Sequence, residues 1–353
     1  MKKTLCMILV LLTIVSAAAC SGGTSAPAPT SGGAADSWKI ENIGEHTFIL
    51  AHGLPATAMT GQQYHEFALA VEELSEGKMK IDEKVGGVLV TDMETLDAVR
   101  AGTVDFIHSK GSFVSGTITD LSPITIAGYY GGDDWLGFVE ELRPVLSDIY
   151  ADYGIKYLGA LNENYSVIVN RVNPITKPGD VAGMTFRASG TWLSKTVEAW
   201  GGAAVSIPLA DLADSFNKGA IDGVMTGWNI IVPYKCYEVC RYVTTTTMSE
   251  GFAGLLMNMD VWNDLNADEQ ALIAEAGMIF QNRSFELANN FAAEYLKEVK
   301  DSGRNDIIAL SPEEEAEFIR IAFSLIPEVE EVENLSSKGV ELIRILKEVN
   351  GIT

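Results

Sequence analysis

Histidine and cysteine are scarce in this sequence, at four residues each in a chain of 353. That supply excludes a disulfide-stapled scaffold, which a chain of this length does not need. His46, His52, His65 and His108 show no metal-ligand spacing. Positive charge is short as well: 25 Lys and Arg stand against 48 Asp and Glu, a formal net charge of −23. Such acidity argues against nucleic acid as a partner and against direct attraction to anionic lipid. It also makes any buried Arg or Lys stand out as a place to hold an anion. No phosphate-binding glycine loop, dinucleotide fingerprint or nucleophile elbow occurs. YHEFALAV carries His65 and Glu66 but has Leu69 where a zinc helix needs its second histidine, so it reads as a surface pair on an amphipathic helix. These absences weaken an enzyme reading, although a site built from carboxylates alone stays open.

The N-terminus is better furnished. Lys2 and Lys3 precede an apolar run from Leu5 to Val15, which is shorter than the ~20 residues a spanning helix needs. Ser16, Ala17, Ala18, Ala19 and Cys20 follow. A basic start, an apolar stretch and small residues predict a secretory signal over 1–19. The cysteine after the small residues resembles the bacterial lipobox, which makes Cys20 the lipid-bearing first residue after cleavage. An ordinary signal with an incidental cysteine is the alternative. Residues 20–44 are predicted as a tether, because 21–37 are rich in Gly, Ser, Ala, Thr and Pro and lack apolar periodicity. Folding is expected to begin near Glu45, outside the cytoplasm, in the periplasm or at the cell surface. Cys236 and Cys240, in KCYEVC, share a helix face if helical. They read as two partly buried thiols, a strained disulfide or half of a metal site, the first being the plainest.

About 310 residues remain after the tether, more than one core usually serves, and two domains are expected. EHTFILAH reads as a strand, and Gly61–Ser75 as a helix whose apolar residues recur at three and four. A strand is read over Lys78–Val85. A capping box of Thr91 with Glu94 starts a helix to Ala101, closed by Gly102, and Val104–His108 is the next strand. Strand alternating with helix is the grammar of an open α/β sheet. LDAVRAGTVDFI, from Leu96, also lies over ADSFNKGAIDGV, from Ala213: helix, Gly, two residues, Asp, strand. One copy in each half is consistent with two similar lobes. From Asn266 the chain reads as mostly helical. Asn266 with Glu269 starts one helix that Gly277 interrupts, Ser311, Pro312 and Glu314 start another, and Ser337–Val349 forms the last.

The blocks PGDVAGMTFR, Gly202–Ala203, Pro208, KGAIDG and YEV occur in this order, after FALAVEELSEGKMKI and ETLDAVRAGTVDF. Together they resemble the DctP-type solute-binding proteins of TRAP transporters over nearly all of the chain beyond the tether. The resemblance implies a two-lobed, periplasmic-binding-protein-like α/β fold with a hinge and a long helix crossing both lobes. It places lobe I at 45–162 plus about 252–291, and lobe II at 163–251 plus about 292–353. It implies a small organic acid gripped as the lobes close, with Arg187 in GMTFRASG forming a two-pronged salt bridge to its carboxylate. A planar guanidinium suits that task, since it offers a carboxylate two parallel hydrogen bonds. An Arg that ends a strand and pairs with a nearby acid is the structural alternative.

Tyr165 falls where some relatives place a second basic residue. Thr226 falls near a polar carboxylate contact with Trp228 beside it, and Lys110 where some have an acidic contact. Ser189, His52 and Tyr129 complete the expected ligand set, with Thr57 and Tyr130 as further candidates. Tyr129, Tyr165, Trp192 and Trp228 together imply room for an apolar or aromatic body behind one carboxylate. The implied partners are the membrane permease subunits and the membrane itself through lipid. The chain is expected to be a monomer without cofactor, metal or nucleic acid. A secreted carboxylate-cleft enzyme and a ligand-presenting sensor component are the competing readings.

Overall fold

EHTFILAH forms β1 (His46–Ala51), with Phe48 and Leu50 buried on one face and Thr47 exposed on the other. The structure, a computed structural model, describes residues 38–130, 134–163, 166–207, 211–249 and 251–352. The predicted signal, Cys20, most of the tether, Tyr165 and Pro208 lie outside them. After β1 come α1 (Met59–Leu74), β2 (Met79–Lys84), α2 (Thr95–Arg100), β3 (Phe106–Lys110), α3 (Gly111–Val114), α4 (Trp135–Ala151) and β4 (Ile155–Leu161). The second stretch holds β5 (Ser166–Asn170), β6 (Thr185–Arg187), α5 (Thr191–Ala199), β7 (Ala203–Val205) and α6 (Leu212–Lys218). It continues with β8 (Gly223–Gly227), α7 (Trp228–Ile231), α8 (Cys236–Val239) and β9 (Tyr242–Thr245). The chain ends with β10 (Ala253–Asn258), α9 (Met259–Asp264), α10 (Ala267–Asp301), β11 (Asp306–Ala309), α11 (Pro312–Phe323), α12 (Ile326–Glu333) and α13 (Ser337–Val349). The helix α2 starts later than its capping box predicts. The Thr91 hydroxyl donates to Glu94 Oε2 at 2.7 Å instead of accepting an amide, so only half of the box is made.

The strands form two sheets, in the orders β2-β1-β3-β10-β4 and β11-β9-β5-β8-β6-β7. In the first, β1 runs parallel to β2 and β3, while β10 is antiparallel to β3 and β4. In the second, β6 runs parallel to β7 and β8, while β5 is antiparallel to β8 and β9. The two plans coincide, with β11 as an added edge.

The internal repeat accounts for the likeness down to single hydrogen bonds. Gly102 and Gly219 both close their helices in the left-handed region, at φ +69° and +71°. Asp105 then accepts the Ile49 amide at 2.7 Å, and Asp222 accepts the Thr185 amide at 3.0 Å. Each carboxylate thus pins the neighbouring parallel strand to its own. At the offset that aligns Leu96 with Ala213, β3–α3 also falls on β8–α7.

The long helix α10 starts on a full capping box of Asn266 and Glu269. Its 35 residues reach about 52 Å at ~1.5 Å per residue. The first half buries Leu272, Ile273 and Phe280 with Phe48 and Phe67, and Val299 near its end joins Val167 and Phe216 over the second sheet. Gly277 does not interrupt it. A Cβ at Gly277 would stand 2.9 Å from the Leu158 carbonyl oxygen, so glycine is present because the helix lies directly on β4.

The last helix lies against the fourth. α13 packs on α4 and the 119–125 segment beside the first sheet, because its buried Leu342, Ile343 and Leu346 share a core with Leu142 and Leu146. Lys338 Nζ also donates to the Asp148 carbonyl at 2.8 Å. Residues 337–349 therefore cover α4, which itself packs on β4 of the first sheet.

Gly277→Ala gives a test of this packing. Alanine in a helix ordinarily adds up to about 1 kcal/mol of stability over glycine. Here the overpacked contact is expected to lower stability by about 1–3 kcal/mol, measured by urea denaturation.

Candidate functional site

In open α/β sheets, ligands sit beyond the carboxyl ends of the parallel strands. β3 ends at Lys110, β6 at Arg187 and β8 at Gly227, and all three residues line one cleft. Leu54, Asp92, His108 and Phe113 complete the wall on the first sheet's side, and Ser189, Thr226, Asn229 and Ile230 the wall on the second. Glu163, just after β4, lies between them. Arg187 is half-buried, and its Nε donates to the Ile207 carbonyl at 3.2 Å, which fixes the plane of the guanidinium. Lys110 Nζ is 2.8 Å from Glu163 Oε2, an ion pair with both side chains largely buried. Asp92 Oδ1 accepts the Gly53 amide at 2.7 Å. Glycine at Gly227 lets Asn229 fold back over the strand end, where a Cβ would come within 2.4 Å of Asn229 Oδ1.

Behind the first wall lies a buried polar relay. The Tyr64 hydroxyl donates to the Gly254 carbonyl at 2.8 Å and lies 3.0 Å from His108 Nδ1. With that hydroxyl hydrogen committed, His108 Nδ1–H is the donor to Tyr64 and Nε2 keeps its lone pair. Burial lowers the His108 pKa, favouring the neutral ring, and pushes the Tyr64 phenol well up. His52 Nδ1 accepts the Leu54 amide at 3.3 Å, and its Nε2 is buried without a hydrogen-bond partner. Burial, and next the neighbouring His108, bring His52 down to about 4.

Of the expected ligand set, Arg187, Ser189, Thr226 and Lys110 line the cleft. His52 does not; it packs behind the wall with its ring 5.3 Å from that of Tyr64. Tyr129 and Tyr130 belong to the core against Phe138, the latter stacked at 4.2 Å. Trp192 donates to Glu333 from within the core, and Trp228 is buried with Val167 and Phe216 while its neighbours Asn229 and Ile230 face the cleft. The large aromatics went where they bury most area, leaving Phe113 as the aromatic lining residue among the described residues. Thr57 is exposed.

Sequence reasoning missed Asp92, His108, Glu163 and Asn229. A signal existed for Glu163 alone, in its place beside Tyr165. His65 and Glu66 are surface residues, paired with Glu83 and Arg283. Cys236 and Cys240 are free and buried, and burial pushes Cys236 up to about 12.

Residues 50–331 match the family described as DctP, bacterial extracellular solute-binding protein, family 7. The C4-dicarboxylate-binding protein DctB of Bacillus subtilis is 24% identical over 312 residues, 86% of each chain. The ectoine-binding periplasmic protein TeaA of Halomonas elongata is 22% identical over 73% of this chain and 76% of its own. A crystal structure of a TRAP periplasmic solute-binding protein from Ochrobactrum anthropi superposes with a TM-score of 0.80 at 23% identity, over 89% of this chain and 97% of that one. The two-sheet α/β fold is that of the TRAP periplasmic binding proteins, which have two lobes.

The buried histidines set a pH dependence of stability. With its pKa at about 4 against an ordinary 6.5, His52 holds fewer protons folded than unfolded. Stability is therefore full above pH 6.5 and falls as pH drops towards 4, by at most about 1.4 kcal/mol per pH unit for this site. Urea midpoints between pH 7 and 5 are expected to show the slope, and His52→Gln to reduce it, with His108 keeping the remainder.

Proposed function

The chain belongs to the DctP family of bacterial extracellular solute-binding proteins, and on that premise we propose that it captures a small organic acid for a TRAP membrane permease. The observation that carries this reading is the convergence of Arg187, Ser189 and Thr226 on one cleft between the two sheets. All three side chains can donate hydrogen bonds, and a guanidinium held at Nε by the Ile207 carbonyl supports a carboxylate contact there. In a closed, dry cleft such a pair is much stronger than on a surface. Tyr165 joins this set as a proposed contact carried by the family resemblance alone. Closure is by hinge motion of the two lobes about the segments that join the sheets, with ligand bridging the walls and selecting the closed state. The relatives differ in their named ligands, ectoine for TeaA and C4-dicarboxylates for DctB. The choice here therefore lies with the residues that face Arg187.

The protein works outside the cytoplasm as a monomer, and it binds its ligand without turnover. After removal of 1–19, lipid on Cys20 holds it at the membrane and residues 20–44 act as the tether. A soluble, acidic, two-lobed body is thereby kept beside its permease. Lobe I comprises 45–162 with about 252–291, and lobe II comprises 163–251 with the chain from about 292 up to α13.

A thermal-shift screen against aliphatic, aromatic, keto- and dicarboxylates is expected to give a binder. At a hundred times its dissociation constant, a ligand adds about 2.7 kcal/mol. Arg187→Ala should weaken that binder about 100-fold or more while the fold persists. No shift across the panel, or normal binding by Arg187→Ala, would sink the reading. In cells, Cys20→Ala should move the protein from the membrane fraction to the soluble one. Persistence at the membrane would remove the lipid anchor.

A further inference from the structure

The two walls of the cleft carry opposite charge among the described residues. On the second sheet's side Arg187 is the charged lining residue, with Ser189, Thr226 and Asn229 around it. On the other side and at the junction stand two carboxylates, Asp92 and Glu163, and one cation, Lys110. All three act on His108 through their charge, so they form one electrostatic neighbourhood. Lys110 is only 2.8 Å from Glu163 and balances it, which leaves this wall one negative charge in excess. Hydrogen-bond character divides the same way. His108 commits Nδ1–H to Tyr64, so its remaining ring nitrogen is an acceptor beside the two carboxylates.

We infer that the ligand is a zwitterion, with its carboxylate at Arg187 and a cationic nitrogen at the wall of Asp92, Glu163 and His108. The inference rests on the carboxylate reading above and names the ligand class. A second carboxylate at that wall would meet Asp92 and Glu163 in a closing, water-poor cleft, where like charges repel strongly. An uncharged end would leave the Asp92 carboxylate desolvated with a single backbone amide as partner. A cationic nitrogen answers both, and it brings N–H donors to Asp92 and to the acceptor nitrogen of His108.

Calorimetric titration of the purified protein with three matched series tests this: ω-amino acids, dicarboxylates and simple monocarboxylates of graded chain length, with ring-closed counterparts. The amino acids should bind about tenfold or more tightly than their matches, and Asp92→Asn should erase that preference by weakening the amino acids alone. Glu163→Gln provides a second variant with the same expected direction, should Asp92→Asn fail to fold. A dicarboxylate or monocarboxylate binding tightest overturns the zwitterion, as does an equal loss for all three series in both variants. Either result leaves carboxylate capture standing if Arg187→Ala still abolishes binding. Unaltered binding by Arg187→Ala, or no binding in any series, overturns carboxylate capture and the zwitterion with it.

Discussion

Backbone hydrogen bonding across β10 anchors in the first sheet a strand that the chain reaches only after building the second. All six residues of this strand are buried, and it sits between β3 and β4, so both of its edges are satisfied by the first sheet. Yet the chain reaches it from β9 in the second sheet. The segments that cross between the sheets are joined to each other, since the Ser166 amide donates to the Met248 carbonyl at 2.8 Å and Thr246 Oγ1 to the Ser166 carbonyl at 3.1 Å. The connections between the sheets thus run as a short paired ribbon, with α10 reaching residues of both cores. Glu163 lies two residues past the end of β4, so a charged cleft residue sits close to that ribbon.

The same economy of strands sets the cleft's polarity. Asp222 accepts the Thr185 amide with one oxygen and Arg171 with the other, and this fixes the start of the short β6 against β8. Two residues later the strand ends at Arg187. The cleft's principal cation is therefore placed by a carboxylate on the adjacent strand, a neighbour that does not neutralise it. In a chain with a formal charge of −23, a cation held in that way is where an anion can rest against the general repulsion.

Much of this was legible in the sequence where local chemistry decides. Apolar spacing located α1, the Asn266 and Ser311 boxes located α10 and α11, and the paired Gly and Asp of the repeat marked two like sheets. Gly277 was misread because the local rule for a helical glycine is an interruption, whereas its cause is a strand carbonyl more than 100 residues away in sequence. Thr91 was misread for the opposite reason, since its partner was right and the direction of the hydrogen bond was not. Of the cleft residues, Arg187, Ser189, Thr226 and Lys110 were found on ordered blocks around strand ends. Asp92, Glu163 and His108 come from separate segments whose meeting only the sheet order reveals. The aromatics were over-assigned to the cleft because a Tyr or Trp beside a strand end looks the same in sequence whether it faces ligand or core.

The interior position of β10 has a consequence for how the protein comes to be folded. The second sheet can assemble all but its β11 edge from the contiguous stretch 166–245, while β3 and β4 must wait for residues 253–258 before either edge between them is filled. Contacts of such long sequence separation form slowly. A nascent chain therefore keeps half of its architecture unfinished until nearly three-quarters of it has been made. For the export proposed above, delayed closure would keep the early part threadable.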